Sequence, residues 1–312
     1  MSTALARTAH EVGSRALRWL HTHRQAGALD GGDIAGNAEA CKALQETALA
    51  ASLVLRDGAA GSEQRRLAHE LLEFAWAQLR DGRLLYERLL RHPLATDTLE
   101  GYAHFARAGY RHRGMERLIA HLAAMGTTGT VEHVPNRRLA VANALRITGH
   151  DRGPGAADRE TLTRATWLGG TPQPWHLDWM TGYHITHTVF HLTDWGRDPG
   201  GLPDDVAAYL ARWLPVWTDV WAETGQWDLV GELLIVGSCL PEPYGELGDW
   251  ERLAEIQHAD GLMPRDDDPV DDDPVTRFHD HQHPTVVAAV AGTLALTRAL
   301  DTPSPRTSDS PA

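Results

Sequence analysis

The sequence predicts an all-α protein folded as an α/α toroid. Three observations point there. Almost every stretch between breaks carries the apolar period of a helix, and Gly, Asp and Pro punctuate these stretches at short intervals. Helices with one apolar face alternate with helices that carry two distinct faces. In a toroid, outer helices see the core on one side and solvent on the other. Inner helices see outer helices on one side and a central cavity on the other. About a dozen helices over 312 residues suit six hairpins. A stacked helical-repeat solenoid is the alternative, but no strict sequence period demands it.

In the first half, helical periodicity covers Ala4–Gln25, Asn37–Arg56, Glu63–Leu79, Leu84–Leu90, Thr96–Ala108, Met115–Ala124 and Arg137–Ile147. Gly31-Gly32, Asp57-Gly58, Asp81-Gly82 and Gly126 separate them. Val131–Val134 reads as a short strand with nothing to pair it. His150-Asp151-Arg152-Gly153-Pro154-Gly155 is the clearest internal break. It divides an N-terminal helical half, 1–150, from a C-terminal half, 151–300, that carries the candidate site. The tail, 301–312, is Ser, Pro, Thr and Asp, a composition that predicts disorder.

The second half holds nine of the eleven tryptophans. Trp179–Gly196 reads as a helix turning about 100° per residue. On it His184, His187, His191 and Asp194 follow a 3-4-3 spacing and share one stripe. Ile185, Val189 and Leu192 form a second stripe. After the turn Gly196–Pro203, Asp204–Glu223 has the single broad apolar face of an outer helix. Trp227–Leu240 is two-faced again: Asp228, Glu232, Ile235 and Cys239 on one side, Leu229, Leu233, Val236 and Leu240 on the other. Trp250–His258 is one-faced and ends at Asp260-Gly261. Phe278–Thr285 then leads into a final apolar helix, Val286–Leu300.

Composition sets the class. An apolar fraction of 42% and a charged fraction of 23% are those of a soluble globular chain. No run of eighteen apolar residues occurs, and the N-terminus lacks the apolar core of a signal peptide. Cytoplasmic residence without a membrane partner is the expectation. A formal charge of −13 argues against a nucleic-acid partner, because a phosphate backbone selects a basic stripe. Two cysteines, Cys41 and Cys239, make no disulfide framework and fit a reduced compartment. Lys42 is the only lysine, a bias toward arginine that suggests GC-rich, actinobacterial coding.

A single helical histidine is ordinarily a packed, hydrogen-bonded side chain. Three of them on one face, closed by a carboxylate, point instead to a polar cavity that binds something. His187 and His191 stand at i and i+4, the spacing of two metal ligands on one helix. Asp194 or Asp178 could fix their tautomers. Asp228 and Glu232 share the second two-faced helix with Cys239, and buried carboxylates need a partner. His283 opens the final inner-type helix and is placed at the cavity mouth, ahead of His279 and His281. The acidic loop Asp266–Asp273, two Asp triplets split by Pro269-Val270, reads as solvated. No phosphate loop, Gly-x-Ser-x-Gly, His-Glu-x-x-His or Cys-x-x-Cys is present.

Two stretches carry a resemblance. Trp250 with Gln257-His258-Ala259-Asp260-Gly261 resembles the hairpin end of the terpene-cyclase and protein-prenyltransferase toroids. His283-Pro284-Thr285 is similar to the His-Thr that precedes an inner helix there. In prenyltransferase β-subunits a zinc is held by Asp, Cys and His. The resemblance implies that Glu232 or Asp228, Cys239 and His283 correspond, although the Asp-x-Cys pairing, the cyclase acid and its aromatic repeats are missing. It spans the last 140 residues or so. The run Tyr183–Gly196 also resembles a family of actinobacterial helical proteins.

The expectation is therefore a metal-dependent enzyme acting on a small organic or natural-product substrate, in secondary metabolism. His187, His191, Cys239 and His283 are its candidate ligands, and His184, Asp194, Asp228 and Glu232 its candidate catalytic residues. A mixed nitrogen and oxygen set suits Zn, Fe or Mn. The alternatives are metal-free acid–base chemistry in the same cavity, as in a cyclase or isomerase, and a non-catalytic helical binding or scaffold protein. The sequence leaves oligomeric state open.

Overall fold

The computed structural model describes residues 2–29, 38–94, 96–126, 132–151 and 158–301. The protein is all-α, as expected. Among the described residues there are thirteen α-helices and no strand. They are α1 (Thr3–His23), α2 (Ala38–Arg56), α3 (Ser62–Gln78), α4 (Arg83–Arg91), α5 (Thr96–Arg107), α6 (Arg113–Ala124), α7 (Pro135–Thr148), α8 (Arg159–Ala165), α9 (Trp179–Thr193), α10 (Asp204–Glu223), α11 (Trp227–Cys239), α12 (Leu247–Ile256) and α13 (Pro274–Asp301). Among them, no helix is long and apolar enough to cross a membrane.

Local chemistry fixes the ends. Ser2 caps α1 by accepting from the Leu5 amide, and Asp178 caps α9 by accepting from the Thr181 amide at 2.7 Å. Pro135 opens α7, and Gly149 ends it at φ +81°.

Six helices touch in a closed cycle: α2 to α5, α5 to α7, α7 to α9, α9 to α11, α11 to α13, and α13 back to α2. The others lie outside it. α1 packs on α13, α3 and α12, α3 on α2, α4 on α5 and α6, α8 on α7, and α10 on α11. The seam between chain ends is tight. A Cβ added at Gly292 would stand 2.4 Å from the Ala9 carbonyl oxygen and 2.8 Å from Gly13 Cα. Two glycines therefore let α1 and α13 meet backbone to backbone.

The two-faced pattern has a physical cause. Every residue of α11 is buried, because α10 covers one side while α9 and α13 flank the other. One apolar core runs from Leu5 to Ala295, across the break expected at 150–155, of which 152–157 lie outside the described residues. Helix α8 follows that break, where helical periodicity resumes. Residues 132–133 carry no strand, while Val131 and the tail from 302 lie outside the described residues.

Two boundaries differ in ways that matter for the site. The His helix ends at Thr193, and Asp194, Trp195 and Gly196 all take positive φ, 48°, 56° and 75°. Asp194 thus leaves the histidine stripe. The last helix starts at Pro274 and not at Val286. Asp273 caps it through the Thr276 amide, and Pro284 sits inside it. The carbonyl a proline leaves unpaired four residues back belongs here to Asp280, an exposed residue that water can serve.

Candidate functional site

The six cycle helices enclose a cavity of about 470 Å³. Its wall is graded from charged to apolar along four of them, while α5 and α9 carry His104 and His191 deeper in. In α2, Lys42 and Glu46 precede Leu49; in α7, Arg137 precedes Ala144 and Ile147. Glu232 precedes Ile235 in α11, and His283 precedes Val287 and Val290 in α13. Ionisable groups from α2, α9, α11 and α13 meet at one level. At another, Arg56, Arg107 and Arg146, late in their helices, meet Asp194 at the end of α9. Two shared levels mean that these helices run in the same direction.

The upper level is a belt of imidazoles and carboxylates. Glu232 is its hub. Oε2 accepts from the Thr186 hydroxyl. Oε1 faces Nε2 of His187 at 3.5 Å and Nε2 of His283 at 3.8 Å, both beyond hydrogen-bond range. Asp228 accepts from the Tyr183 hydroxyl at 2.6 Å through Oδ2, which lies 3.6 Å from His283 Nε2. Its Oδ1 is buried with no hydrogen-bond partner. On the far side of His283, Nδ1 lies 3.0 Å from Glu46 Oε1, an ion-pair distance without a well-aligned hydrogen bond.

Neighbours drive the titration of these groups apart. Burial opposes charge on His283, but Glu46, Asp228 and Glu232 outweigh it and push the imidazole up to about 10. Burial likewise raises Glu46, yet His283, Lys42 and His187 bring it below the usual carboxylate range. Asp228 goes the other way: burial first, then the charge of Glu232, hold it above that range despite His283. Burial, with His187 and Arg137 beside it, holds His191 well below the ordinary imidazole value. Burial and Arg107 take His104 down to about 3. The cavity thus holds neutral and charged imidazoles side by side.

Against protein families, residues 13–293 match one model, a domain of unknown function, DUF6895. The chain belongs to the DUF6895 family. No curated protein and no solved structure matches it. The family agrees with the kinship to all-helical proteins expected from Tyr183–Gly196; the terpene-cyclase and prenyltransferase resemblance finds no match.

In this DUF6895 chain the eight expected site residues separate. His187, His191, Glu232 and His283 line the cavity, and Asp228 stands directly behind Glu232. His184 is half-buried and off the wall, near enough to Asp178 to bear on its charge. Cys239 is also off the wall. It is fully buried at the end of α11, where a Cβ on Gly196 would touch its Sγ, and burial pushes the thiol up to about 12. Asp194 sits in the lower level, in the grip of Arg107 and Arg146. His279 is exposed, and His281 is buried with Nδ1 accepting from the Arg265 amide at 3.3 Å. Among the described residues, no three His, Cys, Asp or Glu side chains stand in an arrangement that could hold a metal ion.

Sequence reasoning missed Glu46, Glu100, His104 and Arg137 on the wall, and Tyr183 behind it. A signal existed. Glu39, Lys42, Glu46 and Leu49 follow a 3-4-3 spacing, and Asp97, Glu100 and His104 a 3-4 spacing. The two-faced test that found α9 and α11 finds α2 and α5 as well.

Proposed function

We propose that the protein is an enzyme that binds a small organic molecule in this cavity and moves protons on it with the imidazole–carboxylate belt. Glu232 carries the reading. Its side chain is 3% exposed, one oxygen is fixed by Thr186, and the other faces two imidazoles without a hydrogen bond. Its free oxygen opens on the cavity, where a guest can complete it. The volume suits a small ligand, whose cavities run from roughly 300 to 1,000 Å³. The closed cycle of inner helices supports a toroid over an open solenoid.

In this reading His187, with Glu232 beside it, accepts a proton from the substrate. His283, held cationic by Glu46 and Asp228, supplies positive charge where negative charge develops. The test is an untargeted one. Wild-type protein is incubated with a low-molecular-weight cell extract and followed by mass spectrometry, beside Glu232→Gln and His187→Ala. The reading expects a compound consumed by the wild type alone. Identical profiles for wild type, variants and a protein-free control would contradict it.

A divalent metal, Zn, Fe or Mn, is the second reading. What favours it is that His187 and His283 both turn Nε2 toward the same Glu232 oxygen. Ligands on a tetrahedral metal with bonds of about 2.1 Å stand roughly 3.4 Å apart, and the two contacts here are 3.5 and 3.8 Å. A modest inward movement would be needed. Metal analysis of the purified protein beside His187→Ala/His191→Ala decides it. One equivalent lost in a folded variant supports the metal, and none in either protein after reconstitution counts against it.

A further inference from the structure

The charges on the wall do not balance. Lys42, Arg88 and Arg137 each already face a carboxylate: Glu46 at 3.8 Å, Asp97 at 2.9 Å and Glu100 in a two-pronged pair. Even with His283 counted as a fourth cation, Glu39, Glu46, Asp97, Glu100 and Glu232 on the wall and Asp228 behind it leave two carboxylates in excess. The shortfall is deepest at Asp228 and Glu232. They are 6% and 2% exposed, and one oxygen of each makes no hydrogen bond. Glu232 is the one that lines the cavity, and a guest that donates an N–H bond and brings positive charge would satisfy its free oxygen.

The surface at the belt's end of the molecule shows the same preference. The inner helices begin at the belt's end of the cavity, and exposed apolar side chains gather at those beginnings. Leu94 precedes α5, Val134 precedes α7, Trp175 precedes α9, Trp179 and Met180 open α9, and Val275 lies in the first turn of α13. Trp179 stands edge-on to Tyr183, with ring centroids 4.9 Å apart, and the Tyr183 hydroxyl reaches Asp228. An aromatic contact therefore links exposed Trp179 to the carboxylate behind Glu232. The acidic loop Asp266–Asp273 lies at the same end, tied to the start of α11 by Trp227 Nε1 donating to Asp267 at 2.7 Å. Acidic surface draws cations toward a cleft, and aromatic faces attract them on the way. Beyond the belt, Ile235, Val287, Val290 and Phe190 offer apolar floor beside His104, Asn143 and His191.

We infer that the cavity takes an organic ammonium ion with an apolar or aromatic body, its nitrogen at the cavity-facing oxygen of Glu232 and its body on the floor below. The inference rests on the reading of the cavity as a small-molecule site and names the chemical class of its guest.

The test compares three probes of one shape by isothermal titration calorimetry, with EDTA present: 2-phenylethylammonium, 2-phenylethanol and 3-phenylpropanoate. In the wild type the ammonium binds tightest, the alcohol at least roughly tenfold more weakly, and the carboxylate not at all, because a hydrogen bond to a charged group contributes about 1.5–3 kcal/mol. Glu232→Gln brings the ammonium down to the level of the alcohol and leaves the alcohol unchanged. Thermal melts confirm that each variant is folded, and the wild-type comparison stands without the variants. Ile235→Trp, which fills the floor, abolishes binding of every probe. Equal or tighter binding of the alcohol or the carboxylate, still lost in Ile235→Trp, would overturn the ammonium assignment and keep the cavity as a binding site. Binding of none of the three at millimolar concentration would overturn the ammonium assignment and weigh against the cavity as a small-molecule site.

Discussion

The belt around Glu232 and the knot around Asp194 are both buried, both charged, and both built on the inner helices, yet they differ in one respect. Asp194 is satisfied. Its Oδ1 accepts from Arg107 at 2.6 Å, its Oδ2 lies 3.0 Å from Arg146, and its backbone carbonyl accepts from Arg56 at 2.8 Å. Burial would raise its carboxyl, but the two guanidiniums hold it down at about 2. Around Glu232 and Asp228 the bonds are long or missing. A satisfied buried charge needs nothing more and ties α9 to α2, α5 and α7. An unsatisfied one costs stability unless something else completes it. Hydrogen-bond saturation, and not burial, separates the cluster around Asp194 from the one proposed to bind substrate.

The comparison breaks most easily at the knot. Arg107→Ala removes one partner of a pair whose side chains are 6% and 2% exposed. A buried charge left alone costs about 3–5 kcal/mol; Asp194 keeps Arg146 at 3.0 Å, so the expected fall in chemical-denaturation stability is somewhat smaller. His187→Ala, in the belt, is expected within about 1 kcal/mol of wild type by the same measurement. A large loss there would place the belt in the structural class.

The two clusters also respond to opposite ends of the pH scale. Asp194 has its folded value lowered to about 2, against about 3.9 in an unfolded chain. Its contribution is full above the unfolded value and is lost as pH falls toward 2. His283 has its folded value raised to about 10, against about 6.5 unfolded. Its contribution is full below 6.5 and is lost as pH rises toward 10. Stability curves against pH should therefore lose part of their acid limb in Asp194→Asn and part of their alkaline limb in His283→Gln. Unchanged limbs would remove the electrostatic half of the comparison. The smallest effect is expected at His184, half-buried and off the wall. His184→Ala should shift stability by no more than about 0.5 kcal/mol and leave probe binding as it is.

Much of this was legible from residue spacing. Helical period and punctuation placed most helices within a few residues, because Gly and Pro at the turns have few conformational alternatives. The two-faced pattern marked α9 and α11 as inner helices and brought out His187, His191, Asp228 and Glu232. The failures have causes. Asp194 was read on the histidine stripe because the 3-4-3 spacing runs through it, but a helical period says nothing about where the helix stops. The Gly at 196 was the available stop signal. His283 was placed at a helix start because Pro284 follows it, whereas an exposed Asp280 lets the helix continue through the proline. Cys239 shares a stripe with Glu232 but lies at the far end of α11, beside Gly196. Spacing gives angle around a helix and not depth along the cavity. Glu46 meets His283 across more than two hundred residues, and only the closed cycle of helices brings them together.

The most direct test of the distinction is a matched pair of isosteric changes, Asp194→Asn and Glu232→Gln, unfolded side by side in urea at pH 7. The account predicts that Asp194→Asn loses about 3–5 kcal/mol, because Arg107 is left buried without its counter-charge. Glu232→Gln keeps or gains stability, as relief of an unsatisfied functional charge does. Equal losses in the two variants would contradict it and make the belt around Glu232 a structural device like the knot below.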